Sequence, residues 1–169
     1  MKKIFYLTFV TALLTIAGCG SKKQESVIIP GMMEMDLSSK GMPIIINVPD
    51  STKGKIEITP QSWGAIEIKV GKDFQISISE GAGDIALAKS DVAGNEVNKF
   101  KKYLIDEPNI ILYESEITQP EFHLYSIIKA GNTAYIVEDI KGEAFSEKQA
   151  QKMLEAAKTI RSKETPAAS

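Results

Sequence analysis

Histidine, cysteine and tryptophan each occur once in these 169 residues, and each scarcity excludes something. A single cysteine, Cys19, leaves no internal disulfide and no paired-thiol redox or zinc motif. A single histidine, His123, rules out a histidine-rich metal site and gives any serine-type hydrolase one base to draw on. The formal net charge of −2 lacks the basic excess that contact with a phosphate backbone demands, so no nucleic-acid partner is expected. The one long uncharged run, residues 4–18, has 15 residues, short of the roughly 20 that a helix needs to cross a bilayer.

That run is the first informative feature present. Lys2 and Lys3 precede it, and the small pair Ala17-Gly18 ends it directly before Cys19. A basic end, a short apolar segment and small residues at a cleavage point form the secretory pattern. The stretch Leu13-Leu14-Thr15-Ile16-Ala17-Gly18-Cys19 resembles the lipobox of bacterial lipoproteins. The resemblance implies that residues 1–18 are a removed signal peptide, that the thiol of Cys19 is the lipidation site, and that the new amine is acylated as well. Two or three acyl chains, at ~0.8 kcal/mol per buried methylene, hold a protein on a membrane where one chain does so only marginally. Gly20 follows the cysteine in place of an aspartate, and Glu25 is the only acid in the tether. By the sorting habits of that family, these features imply a lipid anchor in the outer membrane with the domain on the periplasmic face.

Removing residues 1–18, which hold two lysines and no acid, takes the formal net charge from −2 to −4. Residues 19–26 are small and polar and read as a flexible tether. Residues 27–163 are expected to form one domain, and 164–169 a disordered tail. With Cys19 consumed by lipid, that domain must stand on packing alone.

Alternation dominates its first half. Met33, Met35 and Leu37 oppose Glu34 and Asp36, and residues 43–49 are a β-rich run fenced by prolines. Ile56-Glu57-Ile58, Ile66-Glu67-Ile68-Lys69-Val70 and Phe74-Gln75-Ile76-Ser77-Ile78-Ser79 then alternate without a break, which predicts antiparallel strands with one buried and one wet face. From about residue 91, Ala93, Val97, Phe100 and Leu104 fall at helical spacing and predict a helix over about 91–106, ended by Pro108. Residues 110–117, 122–130 and 133–140 read as strands. The Gly131-Asn132 turn sets Ile128 opposite Tyr135 and Ser126 opposite Val137. A closing helix over about 146–161 opens with a Ser146/Gln149 capping box, buries Ala150, Met153, Leu154, Ala157 and Ile160, and gathers Lys158, Arg161 and Lys163 at the negative end of its dipole.

The fold class that follows is α+β: a single antiparallel β-meander sheet with both helices packed on its isoleucine face. The element order resembles the PsbP/Mog1-like α/β/α sandwich, in shape and without a shared site motif. The pattern Met35-Asp36-Leu37-Ser38, then Gly41-Met42-Pro43, then a closing amphipathic helix resembles small envelope lipoproteins of the Bacteroidota type, a likeness that implies no activity.

Chemistry-bearing groups are sparse. His123 shares a strand face with Tyr125 and Lys129 and reads as a surface or cross-strand histidine, since no activated serine elbow accompanies it. The loop 80–84 lacks the lysine and spacing of a phosphate cradle, so no cofactor is expected. Asp106-Glu107 sits by Pro108 and reads as a solvated end. Glu138-Asp139, adjacent on a strand, should point to opposite faces. Met32, Met33, Met35 and Met42 are soft thioether donors of the kind that suits Cu(I), though alternate methionines are also what strand packing gives. The expected function is a membrane-anchored, non-catalytic binding or accessory module whose partner is an envelope protein or a small ligand. The alternative is a hydrolase-like or other enzyme with a site assembled only in three dimensions, and a minor alternative is Cu(I) binding over residues 32–42. The polar side carrying Glu67, Lys69 and Gln75 reads first as a solvated face, and Trp63 in the adjoining turn first as a lid over the sheet edge; if the module binds a partner, these residues are the candidate binding face, with Trp63 as aromatic anchor.

Overall fold

The structure is a computed structural model that describes residues 29–163. The signal peptide, Cys19 and the tether expected over 1–26, and the tail expected over 164–169, lie outside the described residues. In chain order the elements are β1 (Met32–Asp36), β2 (Ile44–Pro49), β3 (Ile56–Pro60), β4 (Ile66–Val70), β5 (Phe74–Glu80), α1 (Ile85–Ala93), β6 (Lys99–Glu107), β7 (Ile110–Glu116), β8 (Pro120–Ala130), β9 (Thr133–Asp139), α2 (Glu147–Ala157) and β10 (Arg161–Ser162). The class is α+β. No helix among the described residues is long and apolar enough to cross a membrane.

Two sheets form where one was expected. Seven antiparallel strands run β3-β4-β5-β9-β8-β7-β6, and β1, β2 and β10 form a second, three-stranded sheet. The alternation from 56 to 79 builds the first. Ile66, Ile68 and Val70 of β4 face Ile78, Ile76 and Phe74 of β5, and all six are buried. Burying each such isoleucine contributes about 1.5–3 kcal/mol. The same face continues through Val137 and Tyr135 of β9 to Leu124 and Ala130 of β8. It is closed by α2, through Ala150, Met153 and Leu154, and by Leu37, Ile44, Ile46 and Val48 of the small sheet and its turn. Gly131 begins the β8–β9 turn at φ +62°, and the register is the expected one, Ile128 opposite Tyr135 and Ser126 opposite Val137.

The box at the start of α2 also forms. Gln149 Oε1 accepts from Ser146 N at 2.7 Å and from its Oγ at 2.8 Å, while Gln149 Nε2 donates to Asp73 Oδ1 at 2.7 Å and ties the helix start to the β4–β5 turn. The far end differs from expectation. The helix stops at Ala157, Thr159 Oγ1 accepts from Asn47 N at 2.8 Å, and residues 161–162 pair with β2. Arg161 Nη2 lies 2.5 Å from Glu34 Oε1 and Lys163 Nζ 2.6 Å from Asp36 Oδ2. These cations therefore neutralise the acids of β1 instead of the helix dipole, and the Lys163 ammonium holds the Asp36 carboxyl well below the usual range.

The helix expected over 91–106 is replaced by a shorter one, α1, and a strand, β6. Pairing of β6 with β7 skips a residue between Phe100 and Lys102 and again between Tyr103 and Ile105. Each bulge adds one residue to the strand, so apolar positions recur at three- and four-residue intervals and imitate a helix. Val97 of the expected stripe is 72% exposed. The actual start is Asp84, whose Oδ1 accepts from Ala86 N at 2.8 Å and Leu87 N at 3.0 Å. Gly94 ends the helix, and Asn95 Oδ1 then accepts from Val97 N and Asn98 N at 3.0 and 2.8 Å, an Asx turn that feeds β6.

The two helices also lie on opposite faces, not on one. Tyr125 and Ile127 alternate with the core-facing residues of β8, and it is against them that α1 is seated. The Tyr125 hydroxyl accepts from Asp84 N at 3.4 Å, and Gly83, at φ +63°, brings the loop so near that a Cβ would lie 2.7 Å from Ile127 Cδ1. Lys89 pairs with Asp106 and stands 5.3 Å over the Tyr103 ring. None of the nine residues of α1 is buried. The methionines divide likewise: Met35 and Met42 enter the core, while Met33 is 41% exposed.

Candidate functional site

The site arises where a ladder ends. β8 and β9 pair from Ala130 opposite Thr133 to Tyr125 opposite Glu138, and no further. At Asp139 the backbone of β9 still pairs with Ile76 of β5, and the Asp139 carboxylate occupies the opening toward β8. Its Oδ1 accepts from Leu124 N at 2.7 Å, standing in for a missing backbone acceptor, and its Oδ2 lies 2.8 Å from His123 Nδ1. Both side chains are buried, at 5% and 8% exposure. A carboxyl group is tolerated in the interior when its oxygens find hydrogen-bond partners, and here each oxygen has one.

The other ring nitrogen is also engaged. His123 Nε2 is 3.2 Å from Asn98 Nδ2, and Glu121 Oε2 is 3.8 Å away. With the amide nitrogen donating, Nε2 is an acceptor and the ring proton sits on Nδ1, aimed at Asp139. Asn98 Oδ1 is then buried without a partner among the described residues. The Tyr113 ring stands 5.2 Å from the imidazole at 32°, and Phe100 backs it at 6.5 Å. Burial pushes the Tyr113 hydroxyl above its ordinary range, with the charges of Asp139 and Glu138 adding to it. Burial likewise raises Glu138, Asp139 adding and the Lys141 ammonium opposing.

Above this arrangement lies a cleft of about 250 Å³ between the α1–β6 connection and the sheet, lined among others by Asn98, Tyr113, His123, Tyr125, Glu138 and Lys141. A second, of about 350 Å³, is lined by Trp63, Glu67, Ser77, Glu138, Asp139, Ile140 and Lys141. The two share Glu138, Asp139 and Lys141, so they adjoin along the end of β9. Glu138 and Asp139 both line the two clefts at the end of β9, and they keep the expected alternation: Asp139 continues the buried positions of Tyr135 and Val137, and Glu138 the half-buried ones.

Of the residues expected to form a binding face, Trp63 is 70% exposed in the β3–β4 turn, and it and Glu67 line the second cleft. Lys69 is half-buried on the same side of β4. Gln75 is only 6% exposed, with Oε1 lacking a partner among the described residues, so it contributes nothing to an open surface. His123, expected as a surface or cross-strand residue, is the cross-strand one: it stands opposite Tyr113 of β7 and is buried between Asn98 and Asp139 instead of exposed. The signal for that was available: extending the register set by Gly131-Asn132 brings Asp139 opposite Leu124, one residue from His123. Among the described residues no group of three or more His, Cys, Asp or Glu is arranged to hold a metal ion. No family model, curated protein or solved structure matches this chain.

Proposed function

We propose that this chain is an outer-membrane lipoprotein anchored through Cys19, and that its domain is a non-catalytic module that binds a small ligand in the paired clefts at the end of β9. The observation that carries the binding reading is the occupation of both ring nitrogens of His123. The imidazole is held by Asp139 and Asn98 as part of the wall, and none of the residues lining the cleft above it is a serine, threonine or cysteine that it could activate. A concave site with a few convergent polar groups beside aromatic rings is the usual form of a small-ligand pocket.

Two experiments test the two halves. Cys19→Ser should abolish labelling by a fatty-acid analogue and release the protein from membranes; labelling unchanged in the mutant removes the anchor. For binding, a panel of small cations, neutral sugars and carboxylates is followed by NMR. Shifts confined to Asn98, Tyr113, His123, Glu138 and Trp63 support the site, and shifts elsewhere or nowhere refute it.

A second reading has one observation in its favour. A carboxylate 2.8 Å from Nδ1 is how a general base is oriented. Turnover of an ester or amide that is lost in both His123→Ala and Asp139→Asn, with the fold intact, would replace the binding reading by this one.

A further inference from the structure

We infer that the ligand of the paired clefts is a small organic cation carrying an ammonium group, with Glu138 as its counter-ion and Trp63 and Tyr113 as its aromatic walls; the inference rests on the binding reading above. Charge is the first argument. Across the adjoining clefts the lining carries three carboxyl groups, Glu67, Glu138 and Asp139, against one lysine, Lys141, and the imidazole of His123 already engaged by Asp139. An anionic ligand would meet like charge at close range, and a cation the reverse.

Satisfaction of hydrogen bonds is the second. Asp139 is already used by His123 and Leu124 N, the Asn98 amide nitrogen by His123, and Asn95 Oδ1 by two backbone amides. Glu138 is different. It is half-buried, lines the clefts on both sides, and its carboxyl group makes no hydrogen bond and no ion pair within 4.0 Å among the described residues. The carboxyl oxygens of Glu138 and Glu67 are thus unused acceptors facing the clefts, and an ammonium is a donor with no acceptor to misplace. A partly desolvated carboxylate gains most from such a partner. Burial raises its protonation range, with the Lys141 ammonium opposing and Asp139 adding. Lys141 is exposed, so it is screened by water and readily displaced.

The rings are the third. Trp63 holds its indole 70% exposed beside Glu67 and Glu138, and Tyr113 lines the other lobe. A cation near a ring face is stabilised by its quadrupole, most strongly by tryptophan. Trp63 is also the only tryptophan of the chain, so its fluorescence reports on this site alone.

The test titrates the full lipidated chain in detergent with cadaverine, maltotriose and succinate, reading Trp63 fluorescence and calorimetric heat together. Saturable binding of cadaverine is expected, weakened by added salt, with neither of the others competing. Glu138→Gln should weaken cadaverine by about tenfold or more, as loss of a charge-assisted contact implies. Lys141→Ala should tighten it, and circular dichroism checks that both variants are folded. Binding of maltotriose or succinate in preference to cadaverine, or cadaverine binding untouched by Glu138→Gln, overturns the cation assignment and leaves the clefts as a ligand site. Silence from all three probes overturns the cation and the binding reading together.

Discussion

The two faces of the seven-stranded sheet are built to different standards. On one, Ile66, Ile68, Ile76, Ile78, Leu112 and Val137 are covered by α2 and by the small sheet, with exposures of 2% or less. On the other lies α1, nine residues long, with none buried and Leu87 59% exposed, held by a cap, one tyrosine hydroxyl and one lysine. Stability resides on the first face and open polar chemistry on the second. A close-packed interior has no room for a ligand, whereas a lightly covered face keeps a cleft at little cost to the fold.

Substitutions can break this contrast, and the largest effect should come from the packed side. Leu154, at 4% exposure, should cost about 2–5 kcal/mol as Leu154→Ala, while Leu87→Ala should stay within about 0.5 kcal/mol. Urea melts of the two measure the gap, and equal losses would abolish the distinction between the faces. Asp139→Ala comes next. It orphans the buried Leu124 amide and the His123 Nδ1 proton, at about 1–3 kcal/mol for each donor left unmet. The same melts read it, and an unchanged midpoint would mean that the opening between β8 and β9 closes without its carboxylate.

Asp84→Ala should cost about 1 kcal/mol and act locally. Amide exchange should quicken across 85–93 while α2 is unaffected; quickening in both would show that the faces unfold as one. The smallest effect should be a gain. Burial raises the Glu138 pKa in the fold, so its ionised form opposes folding, and that cost enters as pH rises from the unfolded carboxyl range through the raised value. Glu138→Gln should therefore melt slightly higher than the parent at pH 7 and equally at pH 3. A variant that melts lower at pH 7 would mean that the carboxylate has a partner and is not the free counter-ion the cleft requires.

What could be read ahead of the structure follows the same division. On the packed face, burial forces strict period two, so the strands from 56 to 79, the 131–132 turn and the Ser146 box all declare themselves in the residues. On the lightly covered face, α1 buries none of its own residues, so the pattern there has little to enforce it. Two bulges in β6 gave Phe100 and Leu104 a helical spacing, and the true helix start at Asp84 passed for loop because no apolar stripe follows it. Of the clefts, the sequence names Trp63 and Glu67 as members of a candidate binding face with Lys69 and Gln75, whereas the pairing of His123 with Asp139 depends on where a ladder stops.

The carboxylate that ends that ladder also places a reporter inside the sheet. The Leu124 amide proton is bound to a side chain where its neighbours in β8 are bound to backbone, so its resonance depends on the charge and orientation of Asp139 and not merely on the integrity of the strand. A ligand that draws on Asp139 through His123 would move that one peak and spare the rest of β8. The wall of the cleft can thus be followed in solution at single-residue resolution, in the unsubstituted protein and without an attached probe.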